Sequence, residues 1–165
     1  MASYALSLLL LFTAAGLVAQ GKPVPTPVPA PRLPSAARAA EQRTIAPGDT
    51  VRDSLTQRDV LLKTENTYAQ QWRLVGRAGK TVTIDLASDA FDAYLFLLGP
   101  GLEHAAAPPQ DDDSGGRCNA RLTVRFPEDG DYFIVVTTSE RAATGPFVLS
   151  VVAGSRPTAL TPCTR

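Results

Sequence analysis

Histidine, cysteine, methionine and tryptophan are scarce in this chain: one His, two Cys, one Met and one Trp in 165 residues. With His104 as the sole histidine, a Ser, His and Asp constellation has one residue to turn on. That residue lies in an Ala/Pro-rich stretch, and no Gly-x-Ser-x-Gly turn occurs in the sequence. Excess charge of either sign is missing as well, since 16 Lys+Arg balance 16 Asp+Glu. The long-range field is therefore weak and gives no pull toward nucleic acid or an anionic membrane surface. Nor do basic residues interleave with aromatics in the way that single-strand binding by stacking requires. Long amphipathic helical patterns are lacking too. Residues 35–42 have helical propensity, but they form a stretch too short to stand alone in water. Paired carboxylates for glycoside hydrolysis need a cleft, and a small domain has little room for one. These absences predict a protein that is not an enzyme.

What is present begins with residues 4–18, an almost wholly apolar run (YALSLLLLFTAAGLV) followed by Ala19 and Gln20. Its length is that of a signal peptide and falls short of the roughly 20 apolar residues of a membrane-spanning helix. The reading is a signal peptide over 1–19, cleaved after Ala19; an uncleaved anchor is the competing one. A Pro/Ala-rich linker follows over 20–42, with proline at every second position from Pro23 to Pro31. Proline fixes φ and removes a donor, so this stretch predicts an extended polyproline spacer. Cys118 and Cys163 complete the chain's cysteines. In an exported protein they predict one disulfide, pinning a C-terminal tail over 154–165 to the folded domain at 43–153.

Within that domain the hydrophobic period is two. Val82, Ile84 and Leu86 alternate with Thr81, Thr83 and Asp85; Leu122, Val124 and Phe126 alternate with Arg121, Thr123 and Arg125; Phe147, Leu149 and Val151 repeat the pattern. Residues 93–98 (AYLFLL) and 132–136 (YFIVV) are apolar on both faces and predict central strands covered from both sides. Further strands are expected at 68–75, 51–55 and 43–45. Gly-, Pro- and Asp-containing turns separate them, as at Pro47-Gly48-Asp49 and Glu128-Asp129-Gly130-Asp131. About eight short antiparallel strands predict an all-β fold, an antiparallel β-sandwich of jelly-roll type.

The order of five sequence pieces adds a resemblance. They are Ala78-Gly79-Lys80-Thr81-Val82-Thr83-Ile84-Asp85-Leu86, Phe91-Asp92-Ala93-Tyr94-Leu95, Asp111-Asp112-Asp113-Ser114-Gly115, Asp129-Gly130-Asp131-Tyr132-Phe133-Ile134-Val135-Val136, and Thr144-Gly145-Pro146-Phe147-Val148-Leu149-Ser150-Val151. In this order the stretch 48–152 resembles the bacterial pre-peptidase C-terminal domain, a β-sandwich module. The resemblance implies an accessory role without chemistry of its own; similar modules follow the catalytic domains of secreted hydrolases, and some bind calcium, collagen or polysaccharide. A departure from that arrangement is expected, with no enzyme domain ahead of the module and a Cys-bearing tail after it.

Carboxylates cluster at Asp89 with Asp92 and at Asp111, Asp112 and Asp113. Calcium takes six to eight oxygens, so these five residues are the candidate metal ligands if their loops meet. Asp111-x-Asp113-x-Gly115 begins like an EF-hand, yet Leu122 stands at the twelfth loop position where that motif needs Glu. The competing reading is a solvated turn whose Asp side chains cap backbone amides. Tyr94 and Phe96, on a strand apolar on both faces, are the candidates for an exposed stacking platform; Trp72 is expected to be core. The leading expectation is an exported, non-catalytic binding or accessory module. It would engage a protein or polysaccharide at the cell surface or in the matrix, with calcium as the only candidate cofactor and no nucleic-acid partner. The alternatives are a structural or membrane-tethered envelope protein, with membrane contact only through an uncleaved N-terminal segment, and a small secreted hydrolase.

Overall fold

Period-two alternation builds nine strands in the computed structural model, which describes residues 43–103, 105–159 and 161–164. They are β1 (Thr50–Leu55), β2 (Val60–Leu62), β3 (Thr67–Gly76), β4 (Thr81–Ala87), β5 (Ala93–Leu98), β6 (Gln110–Asp111), β7 (Ala120–Arg125), β8 (Gly130–Thr138) and β9 (Gly145–Ala153). The expected signal peptide over 1–19, the linker over 20–42 and His104 lie outside the described residues.

All strand pairs are antiparallel, in a four-stranded sheet ordered β1-β9-β4-β7 and a five-stranded sheet ordered β2-β3-β8-β5-β6. With the short β2 set aside, one sheet holds the first, eighth, third and sixth strands and the other the second, seventh, fourth and fifth. Apart from β5 to β6, successive strands thus cross between sheets, in the jelly-roll order of two interlocked Greek keys. The all-β sandwich expected from the alternation is the fold observed.

Register fixes which face is buried, because a slip of one residue would turn every side chain over. Ile84 of β4 lies opposite Leu122 of β7 and Val151 of β9, so Val82, Ile84, Leu86, Leu149 and Val151 all point inward. Against them the other sheet sets Trp72, Leu74, Leu95, Leu97, Ile134 and Val136. Trp72 is core, as expected, and carries the Arg43 guanidinium 6.0 Å above its ring.

Among the described residues Tyr132 is the largest fully buried side chain, and its site is shaped by what is absent around it. A Cβ at Gly76 or at Gly99 would overlap the Tyr132 ring. Phe126 packs on the ring at a centroid distance of 4.5 Å. The hydroxyl lies 2.9 Å from the Pro100 carbonyl and 3.0 Å from the Glu128 carbonyl, tying two loops to one strand.

Three details differ from the alternation-based expectation. Residues 43–45 are not a strand: Thr44 makes a single parallel bridge to Arg73, and the Pro47-Gly48 turn ends the segment. β2 and β6, three and two residues long, are too short for any period to register. Residues 93–98 and 132–136 do lie inside their sheet; 132–136 is buried or half-buried throughout, with the outward-facing Val135 only 3% exposed, whereas the outer row of 93–98 is only partly covered. Tyr94 and Phe96 are half-buried on the outer side, and Leu98 is 39% exposed.

Candidate functional site

The two outer faces of the sandwich differ. On the four-stranded sheet, chain leaving β9 at Ala153 turns back over β4 and β7. The Thr83 hydroxyl donates to the Gly154 carbonyl at 2.9 Å and accepts the Arg156 amide at 3.0 Å. Asp85 on the same face takes both Arg121 and Arg156, the latter at 2.9 Å, while Arg121 also donates to the Pro157 carbonyl. Thr83, an outward polar residue, is fully buried beneath this cover. Farther along, the Ala159 amide donates to the Ser114 carbonyl at 2.9 Å and the Arg117 amide to the Thr161 carbonyl at 3.1 Å. Cys163 then bonds to Cys118, 45 positions away, so the expected disulfide is present.

The five-stranded sheet presents apolar side chains outward instead. Tyr94, Phe96 and Leu98 share one face of β5 because they have the same parity. Their β8 partners in register are Thr137 and Val135, both buried, and the half-buried Phe133. Across β8 the partner of Phe133 is Arg73 of β3, ion-paired with Asp131 at 2.8 Å, and Val75, 49% exposed, stands beyond it opposite Asp131. The Tyr94 and Phe96 rings lie 6.1 Å apart at an interplanar angle of 47°. Gln110 of the edge strand β6 stands opposite Phe96, and the Tyr94 hydroxyl donates to its Oε1 at 2.6 Å. Apolar surface gathered on one face of a small soluble protein marks an interaction site more often than chance. Sequence reasoning singled out Tyr94 and Phe96. It missed Leu98, although the same parity points to it, and also Val75, Phe133 and Gln110, which only the strand order brings alongside.

Partial burial pushes the Tyr94 phenol above the usual tyrosine range, and the negative charges of Asp112 and Glu65 push the same way. The folded state therefore holds this proton more tightly than the unfolded chain does. Its contribution to stability is intact below the ordinary tyrosine range and is lost as pH rises through the raised value. In an alkaline titration followed by phenolate absorbance, the Tyr94 phenol is expected to ionise late, its step isolated as the difference between parent and Tyr94→Phe.

The five candidate carboxylates do not converge on one point. Asp89 is exposed and lines a surface depression of about 430 Å³ between β1, β4 and β9. Asp111 is turned onto its own loop, where its Oδ1 accepts the Ser114 and Arg121 amides at 2.9 and 2.8 Å. That is the amide-capping turn weighed from the sequence. Asp112 is exposed. Asp92 and Asp113 come together beside the disulfide. One carboxylate oxygen of each lies within 4.8 Å of the other and of both sulfurs. Among the described residues this is the one group of three or more such donors.

The segment leading into Asp92 is held by Ser88, whose Oγ donates to the Pro146 carbonyl at 2.8 Å and accepts the Ala90 and Phe91 amides. The Ala93 amide donates to the Cys118 carbonyl at 3.0 Å, fixing Asp92 beside the 113–119 loop. Gly116, Arg117 and Cys118 carry successive positive φ values of 77°, 56° and 59°. For the two non-glycine residues a left-handed backbone costs about 1 to 2 kcal/mol each. The turn that aims Cys118 at Cys163 is thus one the chain does not adopt by default.

The sequence matches no family model and no curated protein. Solved structures do resemble the fold. The pre-peptidase C-terminal domain of a collagenase from Bacillus anthracis is 16% identical with a TM-score of 0.50, over 67% of this chain and 94% of that one. A periplasmic inhibitor of g-type lysozyme from Aeromonas hydrophila is 21% identical with a TM-score of 0.48, over 68% and 96%. The Salmonella Typhimurium inhibitor of the same kind is 14% identical with a TM-score of 0.42. The fold resemblance to pre-peptidase C-terminal domains expected from the five sequence pieces is thus present in three dimensions.

Proposed function

We propose that this chain is an exported, non-catalytic binding module that engages a protein or polysaccharide through the outer face of its five-stranded sheet. The observation that carries the reading is the contrast between the two outer faces. One is covered by the chain's own C-terminal segment; the other shows Tyr94, Phe96, Leu98 and Val75 outward. Aromatic rings beside an amide side chain suit the apolar faces and hydroxyls of sugar rings, and equally suit an apolar peptide surface. The disulfide supports export, because such bonds persist in oxidising compartments.

Arrays of glycans and matrix proteins probed with the exported protein test this reading. The Tyr94→Ala, Phe96→Ala double variant is expected to lose at least about 30-fold in affinity for the captured ligand, as removal of a central aromatic anchor does. Binding unchanged in that variant would contradict it. N-terminal sequencing tests export itself, with a start at Gln20 expected and retention of residues 1–18 supporting a tethered protein instead. Turnover of a substrate panel that disappears in His104→Ala would favour the hydrolase.

Calcium belongs to the same proposal in a restricted form. Two carboxylates, Asp92 and Asp113, would hold it, with remaining oxygens drawn from backbone carbonyls and water. So few charged ligands suit the weak range of extracellular modules, about 10⁻⁴ to 10⁻³ M. The melting temperature is expected to rise only at millimolar calcium and to stop responding in Asp92→Asn; no response at any concentration would remove calcium from the account.

A further inference from the structure

The donors around the disulfide are two carboxylates and two sulfurs gathered from three segments of chain. Oxidised, the sulfurs are spent on each other. The geometry points to a second state in which reduction of Cys118–Cys163 opens a zinc(II) site made of Asp92, Asp113, Cys118 and Cys163. The reductant is a dithiol: its thiolate attacks one sulfur, the S–S bond breaks, and the mixed disulfide is resolved by the second thiol. The dithiol leaves as its cyclic disulfide, having delivered two electrons and two protons. Zinc then displaces the two thiol protons to solvent and is bound by two thiolates and two carboxylates.

Three features support this. First, the donor number and type fit. Zinc takes four ligands of this kind, and tetrahedral bonds of about 2.0 to 2.3 Å put ligand atoms about 3.3 to 3.8 Å apart. The four atoms already lie within 4.8 Å of one another. Second, contacts besides the S–S bond also hold the segments of the site together. Cys163 is kept close by the Arg117 to Thr161 and Ala159 to Ser114 hydrogen bonds and by the Arg156 pair with Asp85. The Asp92 segment is pinned by the Ala93 to Cys118 bond and by the Ser139 amide on the Asp92 carbonyl at 3.2 Å. The Asp113 carbonyl accepts the Gly116 amide at 2.8 Å. Third, thiolates select zinc over calcium, so the reduced site differs in kind from the weak oxygen site proposed above.

The test uses the whole exported chain, oxidised and after treatment with a trialkylphosphine, which takes up oxygen from water as the disulfide becomes two thiols. Zinc is titrated against a chromophoric chelator, and cobalt(II) is added in parallel as a spectroscopic probe. The reduced protein is expected to bind one zinc per chain at least about 100-fold more tightly than the oxidised protein. Cobalt is expected to give thiolate charge-transfer absorption. Asp92→Asn and Asp113→Asn are each expected to weaken zinc by about tenfold or more, on the scale on which altered ligand shells act. Zinc affinity equal in both redox states would overturn the proposal, as would cobalt spectra without thiolate bands, whether the donors fail to converge or the tail has come away. Full affinity in the Asp92→Asn, Asp113→Asn double variant would overturn it too, since the thiols would then act alone.

Discussion

Replacing Tyr132 with alanine is expected to lower the unfolding free energy by about 3 to 5 kcal/mol, the range for deleting a large aromatic from a core. The side chain is fully buried, and Gly76 and Gly99 are positions where any added Cβ would collide with it. A space so closely fitted to one ring has no neighbour free to fill it. Tyr132→Phe separates packing from hydrogen bonding. It keeps the ring against Phe126 but leaves the Pro100 and Glu128 carbonyls without their shared donor, at an expected cost of about 1 to 3 kcal/mol. Gly76→Ala and Gly99→Ala are expected to destabilise through the same ring. Urea unfolding measures all four. A Tyr132→Ala loss below that of Tyr132→Phe would mean that the ring is not the keystone of this end of the sandwich.

Loss of the disulfide is the second large effect. Cys118 and Cys163 are 45 positions apart, and closing a loop of that size stabilises by about 3 to 4 kcal/mol through the unfolded chain. The Cys118→Ser, Cys163→Ser variant is expected to lose that amount while the sandwich itself still forms, because the core cluster contains neither cysteine. Hydrogen exchange should localise the change to residues 155–164 and to the amide of Arg117, which bonds the tail carbonyl of Thr161. Equal urea midpoints for parent and variant would show that the tail's hydrogen bonds suffice without the covalent link.

Much of this fold was legible in the sequence because alternation of period two is a local signal. Val82, Ile84 and Leu86 announce their buried face without knowledge of any partner strand, and the same holds for Phe147, Leu149 and Val151. β2 and β6 escaped because three residues and two cannot display a period. The outer apolar row was misjudged for a related reason. Alternation says that both faces of 93–98 are apolar, but not whether a second layer covers the outer one.

The candidate sites were less legible because they are made by tertiary contact. Five aspartates looked alike in sequence, yet Asp111 caps amides, Asp89 lines a depression on the other sheet, and only Asp92 and Asp113 meet. Their meeting depends on backbone hydrogen bonds from Ala93 to Cys118 and from Ser139 to Asp92, and on a left-handed turn at Arg117 and Cys118. Neither residue type announces that turn. The covering of Thr83 by the tail was equally hidden, since a threonine on a strand's polar face gives no sign that a later segment will lie across it.

The central claim is that partners dock on the outer face of the five-stranded sheet. Amide hydrogen exchange of the full exported chain, with and without a ligand captured on the arrays, tests it most directly. Protection is expected along β5 and the facing part of β8, at Tyr94, Phe96, Leu98 and Phe133, with the tail-covered strands β4 and β7 unchanged. Protection confined to the depression around Ser88 and Asp89, or to the tail over β4 and β7, would contradict it.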